Sequence, residues 1–192
     1  MLPANEIALA LKPVTDLFTS LGISYYLGGS VASSAYGIAR STLNVGVVSN
    51  LKLEHIPKLV SNLENDYYIS EESIKNAIRH ASSFNLVHLE TSLKIDIFIT
   101  KNRAYDQIAA SRAREDSISL EANAPHFYLA SAEDIVLAKL EWFKSGGLTS
   151  ERQWQDILGV LRVQQSLDLD YMRLWATKLD LSDLLEKVLQ ER

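Results

Sequence analysis

Apolar positions along the chain change their period several times, and each change marks an element. Over residues 4–20, Ile7, Leu11, Val14, Leu17 and Phe18 recur at helical spacing, which predicts an amphipathic helix closed by Gly22. Residues 23–27 are rich in β-formers and predict a buried strand. Gly28-Gly29-Ser30 follows, then a short helix over 31–36 and a second strand over 43–48. Ile56, Leu59, Val60 and Leu63 mark another amphipathic helix. A short strand is expected over 66–70 and a short helix over 71–79. Residues 83–90 and 92–100 predict a hairpin that turns at Thr91-Ser92. In its second arm Leu93, Ile95, Ile97 and Ile99 alternate with Lys94, Asp96 and Phe98, so one face is apolar and the other carries a lone Asp.

From Ser131 the period becomes helical. Ser131 with Asp134 three residues later resembles a capping box, and Ile135, Val136, Leu140 and Phe143 supply the apolar stripe. Gly146-Gly147 breaks that helix. Ser150, with Gln153 three residues on, starts another that runs toward Gln164. Two more helices are expected over 171–178 and 182–189. The pattern divides near residue 130, into a mixed α/β core (1–130) and a helical region packed on it (131–192). No internal repeat or low-complexity linker interrupts it.

Composition narrows the picture. Of 192 residues, 47% are hydrophobic and 22% charged, enough apolar content for a packed core. The net charge of −5, with no run of Lys and Arg, argues against a strong nucleic-acid patch. The absence of cysteine excludes disulfides, thiolate metal sites and Cys catalysis. No apolar run approaches the roughly 20 residues that span a bilayer, and the first residues have no basic flank before their apolar part. A cytoplasmic protein without a membrane partner is the expectation.

Candidate chemistry begins at Gly28-Gly29-Ser30. Two glycines allow a tight turn, Ser30 can cap the helix that follows, and a helix start with free N–H groups suits a triphosphate. Alone this motif is weak, because many strand-to-helix turns bind nothing. The longer run LGGSVASSAYGIARSTLNVGVV, residues 27–48, resembles the signature of the nucleotidyltransferase superfamily of polymerase-beta type. That signature is a Gly-Gly/Ser turn, a short helix, and a strand carrying acidic-x-acidic. The resemblance implies an α/β (α+β) fold, with a mixed sheet flanked by helices and a C-terminal helical bundle. It implies nucleotide binding by Gly28, Gly29, Ser30, Arg40 and Thr42. The acidic pair of the family falls on Asn44 and Gly46, and a third, metal-binding carboxylate on Asp96. The run SAEDIVLAKLEWFKSGGLTSERQWQDILGVL, residues 131–161, resembles the AbiEii (abortive-infection toxin-like) group, whose helical Lys and Asp match Lys139 and Asp156. A protein partner of toxin–antitoxin type is implied with it.

Nucleotidyl transfer attacks the α-phosphorus of a nucleoside triphosphate and expels pyrophosphate, and two Mg²⁺ ions can stabilise both oxygens. Mg²⁺ needs hard oxygen ligands, and alternate strand residues aim two carboxylates at one place. Here Asn44 keeps an oxygen without the charge, and Gly46 offers no side chain. Asp96 alone can hold one Mg²⁺ that a triphosphate also chelates, so the metal is expected to be weakened or lost. Other readings stay open. Arg40 serves equally as a surface residue. Lys139 can be a snorkelling lysine or a phosphate contact. Arg152 and Asp156, four apart, can be an ordinary surface ion pair, or Asp156 can orient Lys139. The four histidines are scattered without ligand spacing. Trp142, Trp154 and Trp175 read as core. Three functions compete: an impaired or inactive relative that keeps a nucleotide or partner cleft, an active transferase using Asp96, and a binding module without a ligand.

Overall fold

The computed structural model describes residues 4–38, 44–118 and 125–192. Among these, seven strands form one mixed sheet: β1 (Tyr25–Gly28), β2 (Asn44–Ser49), β3 (Tyr67–Tyr68), β4 (Ser83–His88), β5 (Lys94–Ile99), β6 (Arg114–Ser117) and β7 (His126–Leu129). Their order is β3-β4-β5-β2-β1-β7-β6. The central β2 runs antiparallel to β1 and parallel to β5, and β7 joins β1 in parallel.

Helices cover both faces. On one side lie α1 (Ala4–Ser20), α3 (Ile56–Leu63) and α4 (Glu71–His80). Ile7, Leu11, Val14 and Phe18 of α1 join Val45, Val47, Ile95 and Ile97 of the sheet in a single apolar cluster. Removing such side chains from water is the main term holding this layer. The phenol of Tyr67 donates to the Ala10 carbonyl at 2.7 Å, fixing the edge strand to α1. On the other side lie α2 (Gly29–Tyr36), α5 (Ala104–Arg112), α6 (Ala132–Ser145), α7 (Glu151–Val163), α8 (Leu169–Lys178) and α9 (Ser182–Gln190). A second cluster gathers Ala32, Tyr105 and Ala109 with Leu137, Leu140, Ile157, Val160 and Met172. Among the described residues no helix is long and apolar enough to cross a membrane.

The expected elements fall close to those observed, with strands trimmed by a residue or two. Ser131 and Ser150 accept the backbone N–H groups of Asp134 and Gln153, as their spacing predicts. Among the described residues, α5, β6, β7 and a single 3-10 turn at Leu53–His55 had no expectation. One tryptophan expectation is corrected. Trp154 and Trp175 are buried, but Trp142 is 52% exposed.

Helix α2 is fixed at both ends by glycine. Gly29 has φ +63°, a left-handed conformation that costs most residues strain. At the other end, a Cβ on Gly37 would stand 2.8 Å from Val160 N and Ser33 O, so backbone packs on backbone. Gln164 Nε2 donates to the Tyr36 carbonyl at 2.7 Å and ties the same end to the segment after α7.

Candidate functional site

Three neighbouring strands carry the expected residues into one row. Gly28 of β1 lies opposite Gly46 of β2, and Gly46 lies opposite Asp96 of β5. Asn44, two residues before Gly46, shares its face of β2. This face turns away from the apolar cluster and floors a cavity of about 1250 Å³. Gly28, Gly29, Ser30, Asn44, Gly46 and Asp96 line its sheet side, and Lys139 and Asp156 line its helical side. Arg40 and Thr42 lie outside the described residues.

The Asp96 carboxylate is not alone on its face. The Lys94 ammonium stands 3.0 Å from Oδ1, and the Asn44 amide donates to Oδ2 at 3.3 Å. Lys94 is the residue that sequence reasoning missed. Its signal was present, because a strand residue two before Asp96 points the same way. Gly46 has no conformational reason to be glycine. A Cβ there would meet Phe98, and the Gly28 carbonyl oxygen, at an ordinary 3.6–3.7 Å. The backbone keeps room for a side chain that the chain does not supply.

The expected role of Ser30 as helix cap is corrected. Helix α2 starts two residues earlier, at Gly29, the cap position belongs to Gly28, and Ser30 sits within the first turn. A glycine at the cap supplies no side-chain oxygen to the first backbone N–H groups.

The helical wall is built from ion pairs. Lys139 Nζ and Asp156 Oδ2 lie 2.8 Å apart, linking α6 to α7, with side chains only 10% and 8% exposed. Lys139 is therefore a buried lysine, and Asp156 faces it across the helix pair. Nearer the sheet, Arg103 bridges Asp106 and Glu141. Hydrogen bonds from Arg103, to Glu141 first and then Asp106, hold its guanidinium charged far above any ordinary pH. Burial, reinforced by Asp106 and Asp134, pushes the Tyr26 hydroxyl well above its usual range, so it stands in the cavity as a neutral phenol. Trp142 meets Phe98 edge to face at 5.2 Å, and both line the cavity.

Behind this wall, Arg112 of α5 pairs with Glu133 at 2.9 Å and Asp134 at 3.2 Å. Tyr171 donates to Asp134 at 2.7 Å and carries the Arg112 guanidinium over its ring. Burial works to raise the Glu133 carboxyl. Hydrogen bonds from the Asp168 and Glu133 backbone N–H groups and from Ser131, with the Arg112 charge, outweigh it and hold the carboxyl below its usual value.

These residues do not fit a two-metal centre. Such a centre needs several anionic oxygens aimed at one point. Among the described residues no group of three or more His, Cys, Asp or Glu is placed to hold a metal ion. The row offers a single carboxylate, with a cation already beside it.

Of the comparisons with known proteins, only that with solved structures bears on the fold. No protein-family model and no curated protein sequence matches the chain. Among solved structures, it is similar to the antibiotic-resistance factor ANT(2'')-Ia, at 11% identity and TM-score 0.56, covering 96% of this chain and 97% of that one. It is also similar to an antigenic nucleotidyltransferase-like protein from Paracoccidioides brasiliensis, at 16% identity and TM-score 0.51, covering 96% and 91%. A third similar structure is the lincosamide antibiotic adenylyltransferase LnuA, bound to lincomycin, at 17% identity and TM-score 0.49, covering 81% and 96%. The mixed sheet flanked by helices is that of the nucleotidyltransferase fold.

Proposed function

We propose that this chain binds a nucleoside triphosphate in the cavity beside Gly28–Ser30 and transfers its nucleotide poorly or not at all. The row Gly28–Gly46–Asp96 carries this reading. The turn that would receive phosphates is intact, while the carboxylates that would drive transfer are reduced to one. A glycine-capped helix start offers N–H groups to an anion, and the cavity is large enough for a nucleotide. Gly28, Gly29 and Ser30 would receive the phosphates, with Arg40 and Thr42 as further contacts. Asp96 and Asn44 would sit beside them. The Lys139–Asp156 pair supports the finer likeness to the AbiEii group, and with it a role in a toxin–antitoxin pair.

The test is a titration of Mg·ATP and Mg·GTP, following the melting temperature and the release of pyrophosphate together. Binding without turnover is the expected result. Turnover at a rate typical of such enzymes would instead favour an active transferase acting on an RNA, protein or small-molecule acceptor. No shift with any nucleotide would leave the cleft to a protein partner.

A further inference from the structure

We infer that the cavity binds its nucleotide without a divalent cation, the Lys94 ammonium supplying the positive charge beside Asp96. This rests on the preceding reading that a nucleoside triphosphate is the ligand.

The charge balance at the row motivates it. An acidic triad places about three negative charges where a triphosphate must approach, and metal ions have to cancel them first. Here Asp96 contributes one negative charge and Lys94 one positive charge, so the row is neutral with no metal present. Both carboxylate oxygens are engaged by protein groups, Oδ1 by Lys94 and Oδ2 by the Asn44 amide. A Mg²⁺ ion entering there would have to compete with an ammonium and an amide that already occupy both oxygens.

The lysine is also suited to a ligand. Its ammonium has three donors, and Asp96 occupies only part of them. Its side chain is 41% exposed, so the remaining donors can reach an incoming oxygen. Strand register sets it opposite Asn44, on the same face as the Gly28–Gly46–Asp96 row and two residues along the strands from it. Exposed Lys101 and Arg152 line the cavity, whose other carboxylates, Asp106, Asp134, Glu141 and Asp156, are each paired with an arginine or a lysine.

The test is isothermal titration of the full chain with ATP and GTP, in EDTA and again in excess Mg²⁺. The expected result is a Kd within about threefold in the two buffers, with Lys94→Met weakening binding in EDTA by about tenfold or more and Lys94→Arg restoring most of it. Tightening of the wild-type Kd by about tenfold or more on adding Mg²⁺ would overturn the inference and leave the nucleotide site standing. Equal binding by wild type and Lys94→Met in EDTA would overturn it too, since another group would then be the cation. No binding in either buffer would end both this inference and the reading beneath it. The wild-type comparison stands even should the Lys94→Met variant fold poorly.

Discussion

Two lysine–aspartate pairs stand at the cavity and differ in depth: Lys139, Asp156 and Asp96 line it, and Lys94 reaches its edge through Asp96. Lys139 and Asp156 meet at 2.8 Å with side chains 10% and 8% exposed, while Lys94 and Asp96 meet at 3.0 Å with 41% and 23% exposed. Similar distances conceal opposite behaviour. A charge stripped of water cannot lose its partner cheaply, whereas a half-hydrated pair exchanges its partner for water or ligand at little cost. The deep pair is therefore scaffold, joining α6 to α7. The shallow pair is the one free to answer a ligand. The sequence resemblance implied functional roles for Lys139 and Asp156, and the depth of the pair gives both a part in stability.

Variants that break one partner separate the two pairs most sharply. Lys139→Met or Asp156→Leu alone leaves a buried charge unmatched and is expected to cost about 3 kcal/mol or more in urea denaturation, while the double variant recovers much of the loss. A small loss from either single change would erase the distinction between the pairs. Restoring the acidic row comes next. Asn44→Asp with Gly46→Asp adds two carboxylates beside Asp96, and mutual repulsion is expected to lower stability in metal-free buffer by on the order of 2 kcal/mol. Added Mg²⁺ should return that stability in the double variant and leave the wild type nearly unchanged. A melting temperature that rises in metal-free buffer would contradict this.

Acid offers a third, smaller separation, away from both pairs. The Glu133 carboxyl is held below its ordinary value near 4.5. Its contribution is therefore fully present above that value and is lost as the pH falls through the depressed one. Glu133→Gln should flatten the fall in stability between about pH 5 and pH 3, measured by urea midpoints. Smallest is the shallow pair itself. Lys94→Met should change stability by less than about 1 kcal/mol, because the pair is half exposed. A larger loss would make Lys94 a structural residue.

Much of this site could be read from alternation alone. Val45 and Val47 bracket Gly46, and Ile95 and Ile97 bracket Asp96. The apolar face of each strand thereby declared which residues faced the other way. Lys94 was legible by the same rule, yet a lysine beside an aspartate reads as surface until the partner strand sets its place. Residues 101–130 gave less. In α5 only Tyr105 and Ala109 are buried, too few to set up a helical stripe. Strand β6 reads Arg-Glu-Asp-Ser, with no apolar alternation, and exists because its backbone pairs with β7 at the sheet edge. Burial depth is a property of three-dimensional packing, so the difference between the two ion pairs left no trace in residue type or spacing.

The backbone contact at Gly37 couples the two walls mechanically. Helix α2 begins at the Gly28–Gly29 turn and ends against Val160, with no side chain between them to act as a bearing. A substitution that pushed α7 outward at Val160 would therefore press on α2, and α2 carries that displacement to the Gly28–Gly29 turn at its other end.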